Sequence, residues 1–223
     1  MTHPPAPGDY ALTVADEQFV LLPERAIFWP AAAALLIADL HLGKAAAFRA
    51  AALAVPEGGA AADLARLSSV LARTAARRLI VLGDLLHART AAAPPVLAAF
   101  AAWRAAHPAL DVLLVRGNHD HNAGDPPAAW GVACVDEPYL CGPFALCHHP
   151  DRVTTGYRLA GHVHPAVRLR GRGRQHERLP CFLFGPNHGL LPAFGSFTGA
   201  ADVQPEATTR VFVIADQAVV PIA

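Results

Sequence analysis

The sequence predicts an α/β fold, and three observations carry that expectation. The apolar runs Ala33 to Ala38, Leu79 to Leu82 and Val112 to Val115 are continuous rather than alternating, as in strands buried on both faces. The stretches between them carry helical periodicity. Beyond residue 143, short apolar segments broken by Gly, Pro and polar clusters read as further strands. At 223 residues the chain can bury a full core, and with no internal repeat or flexible linker it reads as one domain, residues 1–223.

Taken in order, residues 11–14 and 19–22 read as strands around the turn Ala15-Asp16-Glu17-Gln18, with 26–29 a third candidate. The run Ala33 to Ala38 ends in Asp39-Leu40-His41-Leu42-Gly43-Lys44. Residues 60–77 carry Leu64, Leu67 and Leu71 on one side and Asp63, Arg66, Arg73 and Arg77 on the other, the pattern of an amphipathic helix. Leu79 to Leu82 runs into Gly83-Asp84-Leu85-Leu86-His87. Pro94-Pro95 opens a second helix with Val96, Phe100 and Trp103 at i, i+4, i+7. Val112 to Val115 leads to Gly117-Asn118-His119-Asp120, and residues 121–143 read as loop with one short helix and one strand. Phe144 to Cys147 ends in His148-His149, and Tyr157 to Ala160 in Gly161-His162-Val163-His164. Strands are expected at 166–170, 180–184, 188–194 and 211–215, with Gly171 and Gly173 turning a hairpin.

Composition narrows the function classes. The formal net charge is zero, so no global field draws the chain to nucleic acid or an anionic membrane, and any polyanion contact must be local. Lys44 is the only lysine. Cys134, Cys141, Cys147 and Cys181 form no CxxC pair and read as reduced thiols. The Pro-rich start lacks a signal-peptide core, and the longest apolar run, Ala26 to Ala38, is too short to span a bilayer. A cytoplasmic protein without membrane contact is expected.

Five strand ends carry polar clusters: Asp39/His41, Asp84/His87, Asn118/His119/Asp120, His148/His149 and His162/His164. Loops at the carboxyl ends of strands in α/β sheets converge over one crevice. Residues two apart on extended backbone point the same way, so Asp39 with His41, and His162 with His164, can each aim into one site. The inventory suits two divalent cations. Asp39, His41, Asp84 and His164 would hold one, and Asn118, His148 and His162 the other, with Asp84 bridging. Position directly after the strand favours His148 over His149. Carboxylate, imidazole and amide ligands without thiolate fit Mn²⁺, Fe²⁺ or Zn²⁺ better than Mg²⁺ or Ca²⁺. Two such ions roughly 3.5–4 Å apart activate water and stabilise a phosphoryl group attacked in line. His119 is then free to protonate the leaving oxygen, with Asp120 as its orienting partner.

Asp-x-His, Gly-Asp, Gly-Asn-His-Asp, His and Gly-His-x-His, in this order over residues 39–164, resemble the calcineurin-like metallophosphoesterase superfamily. That resemblance implies two mixed β-sheets packed face to face with helices outside, an αββα sandwich, and phosphoester hydrolysis at a bimetal centre. Ala38-Asp39-Leu40-His41-Leu42-Gly43-Lys44 with Phe48-Arg49 is similar to the bacterial ligase-associated DNA-damage-response endonucleases. So are Leu179-Pro180-Cys181-Phe182, Leu191-Pro192-Ala193-Phe194-Gly195 and Phe197-Thr198-Gly199. This closer resemblance implies manganese, DNA as substrate, and an ATP-dependent DNA ligase and a helicase as partners. Many superfamily members have Asp where this chain has His87. The His resembles the double-strand-break repair nucleases and implies a contact near the scissile phosphate, the alternative being a hydrogen bond behind the metal ligands.

Lys44, Arg49, Arg168 and Arg170 are the expected phosphate contacts, with Arg172 and Arg174 meeting only a long substrate. No aromatic stacking platform is expected. The readings to be separated are a DNA endonuclease in repair, a phosphodiesterase for small or cyclic nucleotides, and a non-catalytic scaffold. Monomer and homodimer are left open.

Overall fold

The computed structural model of the protein describes residues 4–222 apart from 51, 54, 56, 57, 88–93, 172 and 174. Seven strands follow the chain in spatial order across the first sheet: β1 (Tyr10–Val14), β2 (Glu17–Leu22), β3 (Ala26–Trp29), β4 (Ala34–Ile37), β5 (Arg78–Leu82), β6 (Asp111–Val115) and β7 (Val132–Val135). The first three pairings are antiparallel, and β4 through β7 are parallel. Parallel neighbours require crossovers, supplied by α2 (Gly59–Thr74) and α3 (Pro94–Ala106). The shorter α1 (Lys44–Ala50) and α4 (Asn118–Ala123) lie at the ends of β4 and β6.

The second sheet contains β8 (Tyr139–Cys141), β9 (Phe144–Leu146), β10 (Tyr157–Ala160), β11 (Pro165–Arg170), β12 (His176–Phe184), β13 (His188–Leu190) and β14 (Ala201–Asp202). Its order is β14-β11-β12-β13-β10-β9-β8, and β12 also pairs with β15 (Arg210–Ala215), which pairs with β16 (Ala218–Pro221). The pairings β10–β13, β10–β9 and β11–β14 are parallel and the others antiparallel, so this sheet is mixed as well.

The two sheets pack face to face. Leu12, Phe19, Ile27, Leu36, Ile80 and Leu113 of the first meet Phe144, Leu146, Phe182, Phe184 and Phe212 of the second in one buried cluster. The pleat sends alternate residues the other way, where Leu35, Ile37, Leu79, Val81, Val112 and Leu114 bury Leu64, Leu67 and Leu71 of α2 with Phe100 and Trp103 of α3. Ala145, Cys181, Val211 and Val213 of the strands, with Cys147 just past β9, belong to a third cluster. The expected sandwich of two mixed sheets with flanking helices is what forms. All four cysteines are free. No helix among the described residues is long and apolar enough to cross a membrane.

Two local expectations are corrected. The strand expected at 188–194 stops at Leu190, because the amides of Phe194 and Gly195 turn to the carbonyls of Ala38 and Asp39. Asp63, expected on the solvent side of its helix, is buried. It accepts hydrogen bonds from Arg66 at 2.9 Å and from the amide of Ser196 at 3.0 Å. Arg73, on the polar side as expected, bridges Asp9 and Glu24 and ties α2 to the N-terminal segment.

Candidate metal centre

Parallel strands β4, β5 and β6 end side by side, and their exit loops interlock. The amides of His41 and Leu42 donate to the carbonyls of Asp84 and Leu85 at 2.8 and 2.9 Å, and the His87 amide donates back to Leu42 at 3.1 Å. Asp39, His41 and Asp84 therefore sit on paired backbone turns. All three have left-handed φ, at 55°, 50° and 55°, as do His162 at 68° and His164 at 51°. For residues with a Cβ this conformation costs about 1–2 kcal/mol each, so the surrounding contacts must enforce it. Glycine permits the close approaches: a Cβ at Gly83, itself at φ 78°, would fall 2.1 Å from His148 Nδ1, and one at Gly117 would fall 2.3 Å from Asp84 Oδ1.

Two groups of donor atoms share Asp84. In the first, His164 Nε2 lies 3.1 Å from Asp39 Oδ1 and 3.4 Å from His41 Nε2, which is 3.7 Å from Asp84 Oδ2. In the second, His148 Nε2 lies 3.5 Å from Asp84 Oδ2 and 3.1 Å from both Asn118 Oδ1 and His162 Nδ1. All seven residues expected as metal ligands converge here. The His148 ring is fully buried against the cluster, whereas His149 Nδ1 is drawn 2.6 Å to Glu137 Oε1.

Tautomers follow from carbonyl partners, since a carbonyl can only accept. His148 Nδ1 faces the Leu82 oxygen at 3.0 Å, and His164 Nδ1 the Gly199 oxygen at 2.9 Å. Each Nδ1 carries the proton and leaves Nε2 with its lone pair aimed inward, an arrangement typical of metal-binding histidines.

The fit to cations rests on what the donors face. Asp39 Oδ1 is buried without a hydrogen-bond partner, although three imidazole nitrogens surround it within 4.0 Å. Burial, then the charge of Asp39, pushes the Asp84 carboxyl up to about 8. Burial pushes His41 down to about 2 and His148 down to about 4, so their rings are neutral near pH 7. Converging lone pairs, with the Asp84 carboxyl costly to ionise and the His41 and His148 rings hard to protonate, are what a pair of divalent cations would satisfy.

His119 flanks the first group, its Nε2 3.9 Å from Asp84 Oδ2 and its side chain one-third exposed. Its Nδ1 donates to the main-chain oxygen of His87 at 2.6 Å, which fixes Nε2 toward the site. This corrects the role expected of Asp120. The buried carboxylate of Asp120 accepts instead from the amides of Asp84 at 2.7 Å, Leu86 at 3.0 Å and Gly117 at 3.0 Å, and so holds the loop rather than the imidazole. The His87 ring stacks on His119 at 4.7 Å and 25°, and burial followed by the nearby His119 lowers it to about 4.

The expected phosphate contacts divide. Lys44 opens α1 within the fields of Asp39 and Asp84, though burial outweighs them and lowers its pKa. Arg49 is exposed at the other end of α1. Arg168 is exposed and shares the single carboxylate of Asp202, at 2.6 Å, with Arg178 at 2.5 Å, which leaves the pair one positive charge in excess. Arg170 is exposed at the end of β11, and Arg172 and Arg174 lie outside the described residues.

One residue was missed. Glu137, buried in a stretch read as loop, accepts from the amides of His148 at 2.7 Å and His149 at 2.9 Å, from the His149 ring, and from Arg152 at 2.8 Å. A lone carboxylate before a proline carries no sequence signal of that role.

The sequence profile of the calcineurin-like phosphoesterases matches residues 33–174, which contain every donor named above. The chain belongs to the calcineurin-like phosphoesterase family. It is a metal-dependent phosphoesterase, and family members use two divalent metals. The crystal structure of Pseudomonas putida nuclease MPE is similar, with 45% identity and a TM-score of 0.85, covering 96% of this chain and 100% of that one. That likeness fits the ligase-associated endonuclease branch. Yfce, a phosphoesterase from E. coli, shares 15% identity over 85% of this chain and 98% of its own, at a TM-score of 0.42 too low to bear on function. No curated protein sequence matches the chain.

Proposed function

We propose that this phosphoesterase hydrolyses DNA phosphodiester bonds with manganese, as an endonuclease in repair. The clustering of seven donor residues, with the Asp84 carboxylate shared between two groups and His119 at its edge, carries the reaction class. The 45% identity to a nuclease over nearly the whole chain supports DNA as the substrate. The Asp39–Lys44 and Leu191–Gly199 motifs support the ligase-associated branch, and with it a role beside an ATP-dependent ligase and a helicase.

In this reading Asp39, His41, Asp84 and His164 hold one cation, and Asp84, Asn118, His148 and His162 the other. Two cations bound there would supply positive charge to a phosphoryl group and activate water for in-line attack. The chain does the rest. Lys44 and Arg49 draw the phosphate to the cluster. His119, its Nδ1 proton committed to the His87 carbonyl, presents Nε2 and, when protonated there, passes that proton to the leaving oxygen. The stacked His87 ring limits how far the acid can swing.

The test is a Mn²⁺-dependent hydrolysis screen of plasmid, single-stranded DNA and cyclic nucleotides. Nicked or cut DNA, lost in Asp84→Ala, is expected. Turnover of cyclic nucleotides with DNA left intact would overturn the nuclease reading.

A further inference from the structure

A line of rings leads away from the proton donor. His119 stacks on His87 at 4.7 Å, His87 lies 6.4 Å from Phe48 at 41°, and Phe48 meets the edge of Phe197 at 5.6 Å and 83°. His87 is also 5.4 Å from the ligand His41, so the line begins at the donor cluster itself. We propose that Phe48 and Phe197, continuing from His87, form a stacking surface for an unpaired nucleobase of the DNA whose phosphodiester lies at the metal centre. The proposal rests on the DNA-cleaving reading and names where that substrate is gripped.

Three features favour a base over simple packing. Phe197 is 37% exposed, yet it is not on a loose loop. Its neighbour Ser196 bonds buried Asp63 through both amide and hydroxyl, and Thr198 Oγ1 donates to Gly195 at 2.8 Å. A Cβ at Gly195 would fall 2.4 Å from the Leu40 carbonyl, which fixes this turn against the Asp39 loop. An exposed ring on an anchored turn is presented rather than merely tolerated.

Charge supplies the second feature. Lys44 and Phe48 are one helical turn apart on α1 and share a face, so cation and ring can meet the phosphate and base of one nucleotide. The third is chemical economy: every base has a π-face, so stacking grips DNA without reading sequence. A paired base has its faces covered by its neighbours in the duplex, which is why the surface suits an unpaired one.

The test uses full-length Mn²⁺-loaded enzyme and single-stranded oligonucleotides of one sequence, with or without an abasic residue on either side of the cut bond. Removing the base that occupies the surface should raise the wild-type KM on the order of tenfold. Phe197→Leu should raise KM for the intact oligonucleotide by a similar factor, while adding nothing to the abasic one. Phe48→Leu should behave likewise, and Phe197→Tyr, which keeps a ring, should stay near wild type. Metal content and circular dichroism of each variant confirm the fold. Wild-type KM in both leucine variants, or base removal and substitution multiplying independently, would overturn the stacking surface while leaving the nuclease reading intact. An enzyme that splits a simple aryl phosphodiester but no oligonucleotide overturns the nuclease reading and this proposal with it.

Discussion

Asp120→Ala separates a residue that holds the site together from one that tunes its acid. The Asp120 carboxylate accepts from three buried amides, those of Asp84, Leu86 and Gly117. An amide left buried without an acceptor costs about 1–3 kcal/mol, so three lost partners amount to roughly 3–9 kcal/mol. Removal also relieves a real cost, since burial raises the pKa of Asp120. A net loss of about 3 kcal/mol, at the lower end, is expected. That is a large share of the roughly 5–15 kcal/mol that stabilises a typical domain. Because the amide of Asp84, the carboxylate shared by both donor groups, is among those released, metal affinity should fall with stability. Urea unfolding of metal-free protein and Mn²⁺ titration by calorimetry read the two effects. If Asp120→Ala unfolds within 1 kcal/mol of wild type and binds Mn²⁺ normally, but turns over slowly, Asp120 orients His119 after all and the scaffold argument fails.

Other outcomes follow from the same geometry. His119→Ala should slow turnover on the order of 10²–10⁴-fold, the range for a general acid, with metal content near normal by elemental analysis; lost metal would make it a ligand instead. Glu137→Gln removes an acceptor from the loop carrying His148 and should weaken Mn²⁺ binding about 10–100-fold, while Arg152→Ala, at the exposed end of the same cluster, should not. Stability of the metal-free protein should depend on pH in two senses. His41, His87 and His148 titrate below their usual 6.5, so the unfolded chain binds more protons there and stability rises as pH climbs toward 6.5. Asp84, raised to about 8, keeps in the folded state a proton that the unfolded chain has lost, so above pH 6.5 stability falls until about pH 8. One proton over that interval corresponds to about 2 kcal/mol. A thermal-shift series with chelator should show the decline and one with saturating Mn²⁺ should lose it; a decline of equal size in both would contradict the ligand role of Asp84.

The clustering of the candidate metal donors was legible because each closes an apolar run, and continuous runs of Leu, Ile and Val are the clearest mark of a buried parallel strand. What escaped reading shares a different cause. Asp63 stands one helical turn before Leu67, on the buried side of α2, and its charge alone suggested solvent; the return of residues 193–196 across the N-terminal end of α2 supplies its partners. Glu137 is defined by a loop that follows it by eleven residues, and its pull on two consecutive amides leaves no periodic trace. Phe48 and Phe197 meet only through the whole fold, so the absence of a local aromatic cluster was no guide to whether rings assemble. Segment 44–50 is seven residues long, too few for helical periodicity to stand out among alanines.

The left-handed candidate ligands show why these long-range contacts matter to the chemistry. Asp39, His41, Asp84, His162 and His164 each hold a conformation that an unconstrained residue would abandon for strand or helix. No glycine can relieve them, since a metal ligand needs its side chain. The cost must be met from outside the turns. The Asp39 loop is braced by the Asp84 loop on one side and by Phe194 and Gly195 on the other, the Asp84 loop by Asp120, and the His162 amide by Asp39 Oδ2 at 2.9 Å. Each brace joins segments far apart in sequence, so the donor geometry exists only when both sheets have packed. A cation binding at these donors would therefore meet a site already shaped, with the ordering entropy lost in folding rather than in each binding event. The motif Leu191-Pro192-Ala193-Phe194-Gly195 gains its physical meaning here: through the amides of Phe194 and Gly195 it holds the turn from which Asp39 points.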